Sequence, residues 1–190
     1  DETENDGGIV IHRLKPSNVK GLTWFLNAQK VNSKIKEINK RNPIDIVETA
    51  ELALAFLHKL EGIKYIIRLH GGHHFFAEAE NRGIDKWKGF QEKRSFSKAD
   101  AFIAVSNYVK THTEKYLSYN NKPIEIINYP ISFSKFYISD KSKVVPSSIV
   151  FAGTVCEKKG IRQLVQALPV ILEKFPETKL EVYGRDWLFP

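Results

Sequence analysis

Two short stretches of this sequence combine residue types that can do chemistry. The first is GTVCEKKG, Gly153 to Gly160, which ends one apolar run and opens an amphipathic one. A glycine at a strand end lets backbone approach a ligand with no Cβ in the way. A helix that follows such a turn offers unpaired N–H groups and the positive end of its dipole, an anion site. Lys159 adds a full positive charge at the helix start, and Gly160 keeps the approach open. The pattern is neither GxGxxG nor a Walker loop, so an ordinary turn carrying solvated lysines stays open as the other reading.

The second stretch is LHGGHH, Leu69 to His74. Three close histidines suggest a metal, yet no Asp, Glu or Cys joins them at ligand spacing, so no metal is expected. His70 is expected to end a strand and offer a neutral imidazole to a polar substrate, with Gly71 and Gly72 making a tight turn open to a ligand. A structural or solvent-facing histidine is the alternative. Ser106 lacks the Gly-x-Ser-x-Gly elbow of a nucleophilic serine. Asp100 reads as a loop or capping carboxylate and Cys156 as an inert thiol. Trp24, Trp87 and most phenylalanines are assigned to the core.

These residues need elements to hold them. GIVIHRL (Gly8 to Leu14) reads as a strand, and Leu22, Phe25, Leu26, Val31, Ile35 and Ile38 recur at helical spacing up to the break at Asn42-Pro43. DIVETA is the next strand, then a helix is expected over ELALAFLHKLEG with Gly62 as its stop. KYIIRLH is a strand, GGHHFFAEAENRG a loop, and Asp85 to Lys98 a helix. AFIAVS is a strand, with Ser106 capping the following helix, and IEIINYP is a strand ended by Pro130. Residues 131–148 lose all periodicity and read as a linker. SIVFAG, a helix over IRQLVQALPVILEKF that Pro169 should bend or interrupt, and the strand KLEVYG complete the chain.

Alternating strands and helices with apolar strands imply an α/β protein, a Rossmann-like parallel sheet with helices on both faces. The expected domains are 1–130, without its first strand, a linker at 131–148, and the start of a second Rossmann-like domain at 149–190. The second is a single βαβ unit, too short to bury a core of its own.

Composition sets outer limits. The 190 residues are 42% hydrophobic and 27% charged, an ordinary globular profile. The apolar runs are strand-sized, so none spans a membrane. The single Cys156 excludes an internal disulfide framework and fits a reducing compartment, so a cytoplasmic place is expected. The absence of methionine and the polar opening DETENDGG suggest a piece of a longer protein. The formal charge of +7 raises a nucleic-acid-binding module as an alternative, but basic and acidic residues interleave and no RNP-like strand or zinc spacing accompanies them. The local excess is Lys30 to Arg41.

In order, PIDIVETAE, YIIRLHGG, KRSFSKADAFIAVSNYVK, IEIINYPIS and IVFAGTVCEKKGIRQLVQALPVILEKFPETKLEVYG resemble the successive landmarks of glycosyltransferase family four of the GT-B superfamily. The resemblance implies a retaining transferase that moves a sugar from a nucleotide-diphosphate donor to a glycan or lipid-linked acceptor, without a metal or other cofactor. It implies that Lys159, with Gly153, Thr154 and Gly160, binds the donor diphosphate, and that His70, beside Gly71, hydrogen-bonds the donor sugar and is catalytic. Thr154 stands where the family usually has Arg, and supplies a hydrogen bond without a charge. The chain stops before the family's Glu-x7-Glu motif, and its opening strand and Gly-Gly phosphate loop are not seen, so this piece alone is expected to be inactive. A non-catalytic or epimerase-type relative is the alternative. Peripheral contact of Lys30–Arg41 with an anionic membrane at its inner face is a further expectation, against a solvated outer helix face.

Overall fold

The computed structural model describes residues 2–138 and 140–186. The chain folds as two compact units divided between Tyr129 and Pro130. In the first unit, four short apolar segments form a sheet in sequence order. They are β3 (Ile46–Thr49), β4 (Lys64–Leu69), β5 (Ala101–Ala104) and β6 (Ile124–Ile126), all parallel. Ahead of them come a two-stranded antiparallel sheet of β1 (Glu2–Asp6) and β2 (Ile9–Arg13), and the long helix α1 (Thr23–Arg41). The crossovers of the sheet carry α2 (His73–Ala79), α3 (Lys86–Lys98) and α4 (Asn107–Glu114).

Strand alternation decides what is buried. Tyr65, Ile67 and Leu69 of β4 and Phe102 and Ala104 of β5 are wholly buried on one face, against Leu54, Phe96 and Tyr119. Burying each large apolar side chain contributes about 1.5–3 kcal/mol, so this face is the main source of the unit's stability. The intervening Arg68 points to the other face, where its guanidinium donates to both carboxylate oxygens of Glu48 on β3, at 2.7 and 2.9 Å.

The polar opening forms β1, paired with β2 through a turn in which Gly7 and Gly8 both take positive φ, +57° and +91°; that backbone suits a two-residue hairpin. Two expectations about the segments around β4 need correction. The helix expected over residues 51–62 is a single 3-10 turn, Ala53–Ala55. Side chains from elsewhere take the backbone groups a helix would have paired. Leu54 N–H donates to Ser95 Oγ, His58 N–H to Asn32 Oδ1 and Leu60 N–H to the Tyr65 hydroxyl, while Ala55 O accepts from Arg94 and Lys98. Conversely, the loop expected after Gly72 is α2, for a reason given below. Ser106 does cap α4, accepting from Val109 N–H at 3.1 Å.

Trp24 and Trp87 are not core. They are 37% and 46% exposed, on the first turns of α1 and α3, and form a three-ring cluster with Phe56, whose centroid lies 4.1 and 5.7 Å from theirs, while the two indoles are 5.4 Å apart. Of the basic run on α1, Lys34 and Arg41 pair with Glu37 and Lys30 donates to Lys15 O. No helix among the described residues is long and apolar enough to cross a membrane.

The second unit is one βαβ arrangement, β7 (Ser148–Ala152), α5 (Ile161–Lys174) and β8 (Lys179–Tyr183), with the strands parallel. Pro169 does not interrupt α5, which runs through it. The apolar stripe of α5 is half-buried at Ile161, Leu164, Leu168, Ile171 and Leu172, and no described residue of this unit is fully buried. One helix on two strands covers only part of the apolar surface it presents.

Candidate functional site

The predicted site residues fall into two groups, one in each unit. His70, Gly71 and Gly72 follow β4 directly, at the carboxyl end of the sheet, where open α/β sheets bind ligands. His70 is exposed, while His73 and His74 are buried at 7% exposure each. The three therefore do different things. His73 Nε2 accepts from Asp85 N–H at 2.9 Å, and His74 Nδ1 bonds the Glu92 carboxylate. His70 Nδ1 bonds the hydroxyl of Tyr129.

The turn beneath His70 is braced by two carboxylates that sequence reasoning missed. Glu51 Oε1 accepts from His70 N–H at 2.5 Å. Glu92, on α3, accepts from His73 and His74 N–H at 2.8 and 3.0 Å. Glu92 thus caps α2 from a neighbouring helix and complements its positive end, which is why the segment is helical. Gly71 has φ +96°, a conformation that glycine adopts readily. The expected open approach at these glycines is filled from inside: a Cβ on Gly71 would lie 3.0 Å from the Phe75 and Phe76 rings, and one on Gly72 would lie 1.6 Å from Glu92 Oε1. The exposed group of this turn is the His70 side chain.

Burial raises the pKa of Glu51 above its usual 4.5, against the lowering effect of its backbone hydrogen bonds; the nearby Glu92 charge adds to the rise. The folded state therefore holds the proton more tightly than the unfolded one. The stabilisation this gives is fully present below pH about 4.5 and is lost as pH rises through the folded-state pKa. Denaturant titrations of the protein and of Glu51→Gln across this range should show the difference between them changing in that direction, the protein losing ground to the variant as pH rises. A difference independent of pH would remove Glu51 from this role.

In the second unit the turn after β7 is more closely defined than its sequence suggests. Gly153 N–H donates to Tyr183 O and Val155 N–H to Arg185 O, both at 2.9 Å, so the ladder with the β8 side consumes these two amides. These two strand-end amides are therefore not open to a ligand. Residues Glu157–Lys159 form a 3-10 turn, and Gly160, at φ +78°, reverses the chain into α5 with no side-chain cap. Lys159 is exposed at that junction. Glu157, which sequence reasoning also missed, pairs with Arg162 at 2.9 Å and accepts from Gln163 Nε2 at 3.3 Å. Gly184 is required by close approach, since a Cβ there would lie 1.7 Å from Gly153 O.

The sequence profile of Glycosyltransferase Family 4 matches residues 1–135, well over half of the chain. The chain belongs to glycosyltransferase family 4. No curated protein matches it. Among solved structures it is similar to a sucrose-phosphate synthase from Thermosynechococcus elongatus, with a TM-score of 0.70 at 13% identity. That likeness covers 97% of this chain and 57% of the other, so the chain spans little more than half of that structure. At this identity the likeness speaks to the fold, which is the α/β, Rossmann-like architecture of a GT-B glycosyltransferase. The family match contains the whole first unit, with His70 and Gly71; the Gly153–Gly160 turn lies beyond it.

Proposed function

We propose that this chain is part of a retaining, hexosyltransferase-like enzyme that moves a sugar from a nucleoside-diphosphate donor to a glycan or lipid-linked acceptor. Family membership supports transfer in general. The observation that carries the donor side is the second-unit turn, where an exposed ammonium, Lys159, stands at the uncapped amino end of α5. Together these favour a diphosphate, through the helix dipole and a full charge. In this reading Lys159 and the first-turn amides of α5 hold the diphosphate, with Gly153, Thr154 and Gly160 shaping the turn. As the sugar–phosphate bond breaks, Lys159 offsets the charge that builds on the departing oxygen. His70, beside Gly71, hydrogen-bonds the donor sugar while the acceptor oxygen attacks from the face the diphosphate leaves. The acceptor's hydroxyl proton passes to that leaving oxygen, so neither metal nor cofactor is needed in this proposal.

Calorimetric titration of nucleoside diphosphates tests the donor site. A hydrogen bond to a charged group is worth about 1.5–3 kcal/mol, so Lys159→Ala should weaken binding roughly 10- to 150-fold. Equal affinity for the protein and the variant would take Lys159 out of the donor site.

A further inference from the structure

The exposed His70 imidazole would be free to rotate unless something outside its own strand held it. Its main chain is already fixed. Leu69 before it is wholly buried, Glu51 binds its N–H, and Gly71 after it takes the turn. What remains is the ring, and among the described residues its hydrogen bond is with Tyr129. The Tyr129 hydroxyl bonds His70 Nδ1, and the two rings lie within 15° of parallel with centroids 5.7 Å apart.

Tyr129 is itself well anchored although it is 56% exposed. Ile127 N–H donates to Ala104 O at 2.9 Å, and Asn128 Nδ2 donates to Val105 O at 2.9 Å. The segment leaving β6 is thereby tied to the end of β5, the strand beside β4. Pro130 follows, and a residue before proline is held to extended backbone. The phenol is therefore delivered to His70 from two strands away by a chain with little freedom.

We infer that Tyr129 is the positioning residue for His70, selecting its tautomer as well as its orientation. A phenol is the more acidic partner and the unprotonated imidazole nitrogen the better acceptor, so the hydroxyl donates to Nδ1. The ring proton then resides on Nε2, and the other nitrogen's hydrogen bond sets that assignment. His70 consequently presents an outward N–H donor to whatever binds at the strand end, and selects a ligand that offers an acceptor oxygen. This rests on the proposed transfer reaction only in taking that oxygen to be a donor-sugar oxygen.

The test reads the nitrogen directly. Long-range proton–nitrogen spectra of the 15N-histidine-labelled chain, in mildly alkaline buffer where imidazoles are neutral, resolve both ring nitrogens, with His70→Gln identifying the signal among the six histidines. Nε2 should be protonated and Nδ1 should resonate as a hydrogen-bonded acceptor. In Tyr129→Phe, which keeps the ring, the Nδ1 signal should shift to the position of an unbonded pyridine-type nitrogen and the second tautomer should gain population. A proton on Nδ1 in the parent chain, or an Nδ1 signal unmoved by the substitution, would overturn the inference. Adding nucleoside-diphosphate sugars separates this from the reaction: a silent Nε2 with the tyrosine effect intact counts against the sugar contact and leaves the pair standing.

Discussion

Gly72→Ala is expected to cost the first unit about 3–5 kcal/mol, the range for leaving a buried charge without its partner. The new Cβ would fall 1.6 Å from Glu92 Oε1, 2.8 Å from its carboxyl carbon and 3.2 Å from Glu51 Cγ. A flexible side chain could normally swing away, but Glu92 is 1% exposed and held by two main-chain N–H groups and His74. Moving it strips the first turn of α2 of its acceptor and leaves two buried amides unpaired. Because a domain's total stability is only about 5–15 kcal/mol, the loss should be plain in a urea titration as a large fall in midpoint. A midpoint within experimental error of the parent would mean that Glu92 does not hold the turn in this way.

Gly184→Ala is the corresponding change in the second unit, and its obstacle is backbone. The Cβ would meet Gly153 O at 1.7 Å and the Gly153 carbonyl carbon at 2.7 Å. Neither can rotate aside, so the ends of β7 and β8 must part, breaking the bonds from Gly153 N–H to Tyr183 O and from Val155 N–H to Arg185 O. Overpacking of this kind costs about 1–3 kcal/mol, in a unit with no fully buried described residue to absorb it. Hydrogen exchange at Gly153 and Val155 should accelerate markedly, with diphosphate binding weakened because the turn before Lys159 loses its anchor. Unchanged protection at both amides would contradict the argument.

How far the sequence reveals all this depends on where each element's hydrogen bonds go. Strands β3 to β6 and helices α1, α3 and α4 are legible because their apolar spacing is local, and Ser106 is legible as a cap because its acceptor reaches only three residues ahead. Residues 51–62 mislead because their partners, Asn32, Ser95, Arg94 and Lys98, come from other elements, and no local pattern announces a backbone satisfied from a distance. Helix α2 escapes sequence reasoning for the same reason, since its cap arrives from Glu92.

One signal is available. Gly89, Glu92 and Phe96 share a helix face at spacings of three and four, so an acidic residue stands on a stripe that is otherwise buried. Such a carboxylate must find donors, and the glycine-histidine turn supplies them. Lys159 in the second unit and His70 in the first stand out by type and position, while Gly184, which packs on Gly153, and Glu51 and Tyr129, which bond His70, belong to other segments and cannot be paired with them by reading along the chain.

The central claim is that the turn ending in Lys159 and Gly160 receives the diphosphate of a sugar nucleotide. Amide and methyl shift mapping of the protein with a nucleoside-diphosphate sugar tests it most directly. The account predicts perturbations that concentrate at Gly153, Thr154, Lys159 and Gly160 and are lost in Lys159→Ala. Binding that leaves all four of these residues silent and perturbs other surfaces would contradict it.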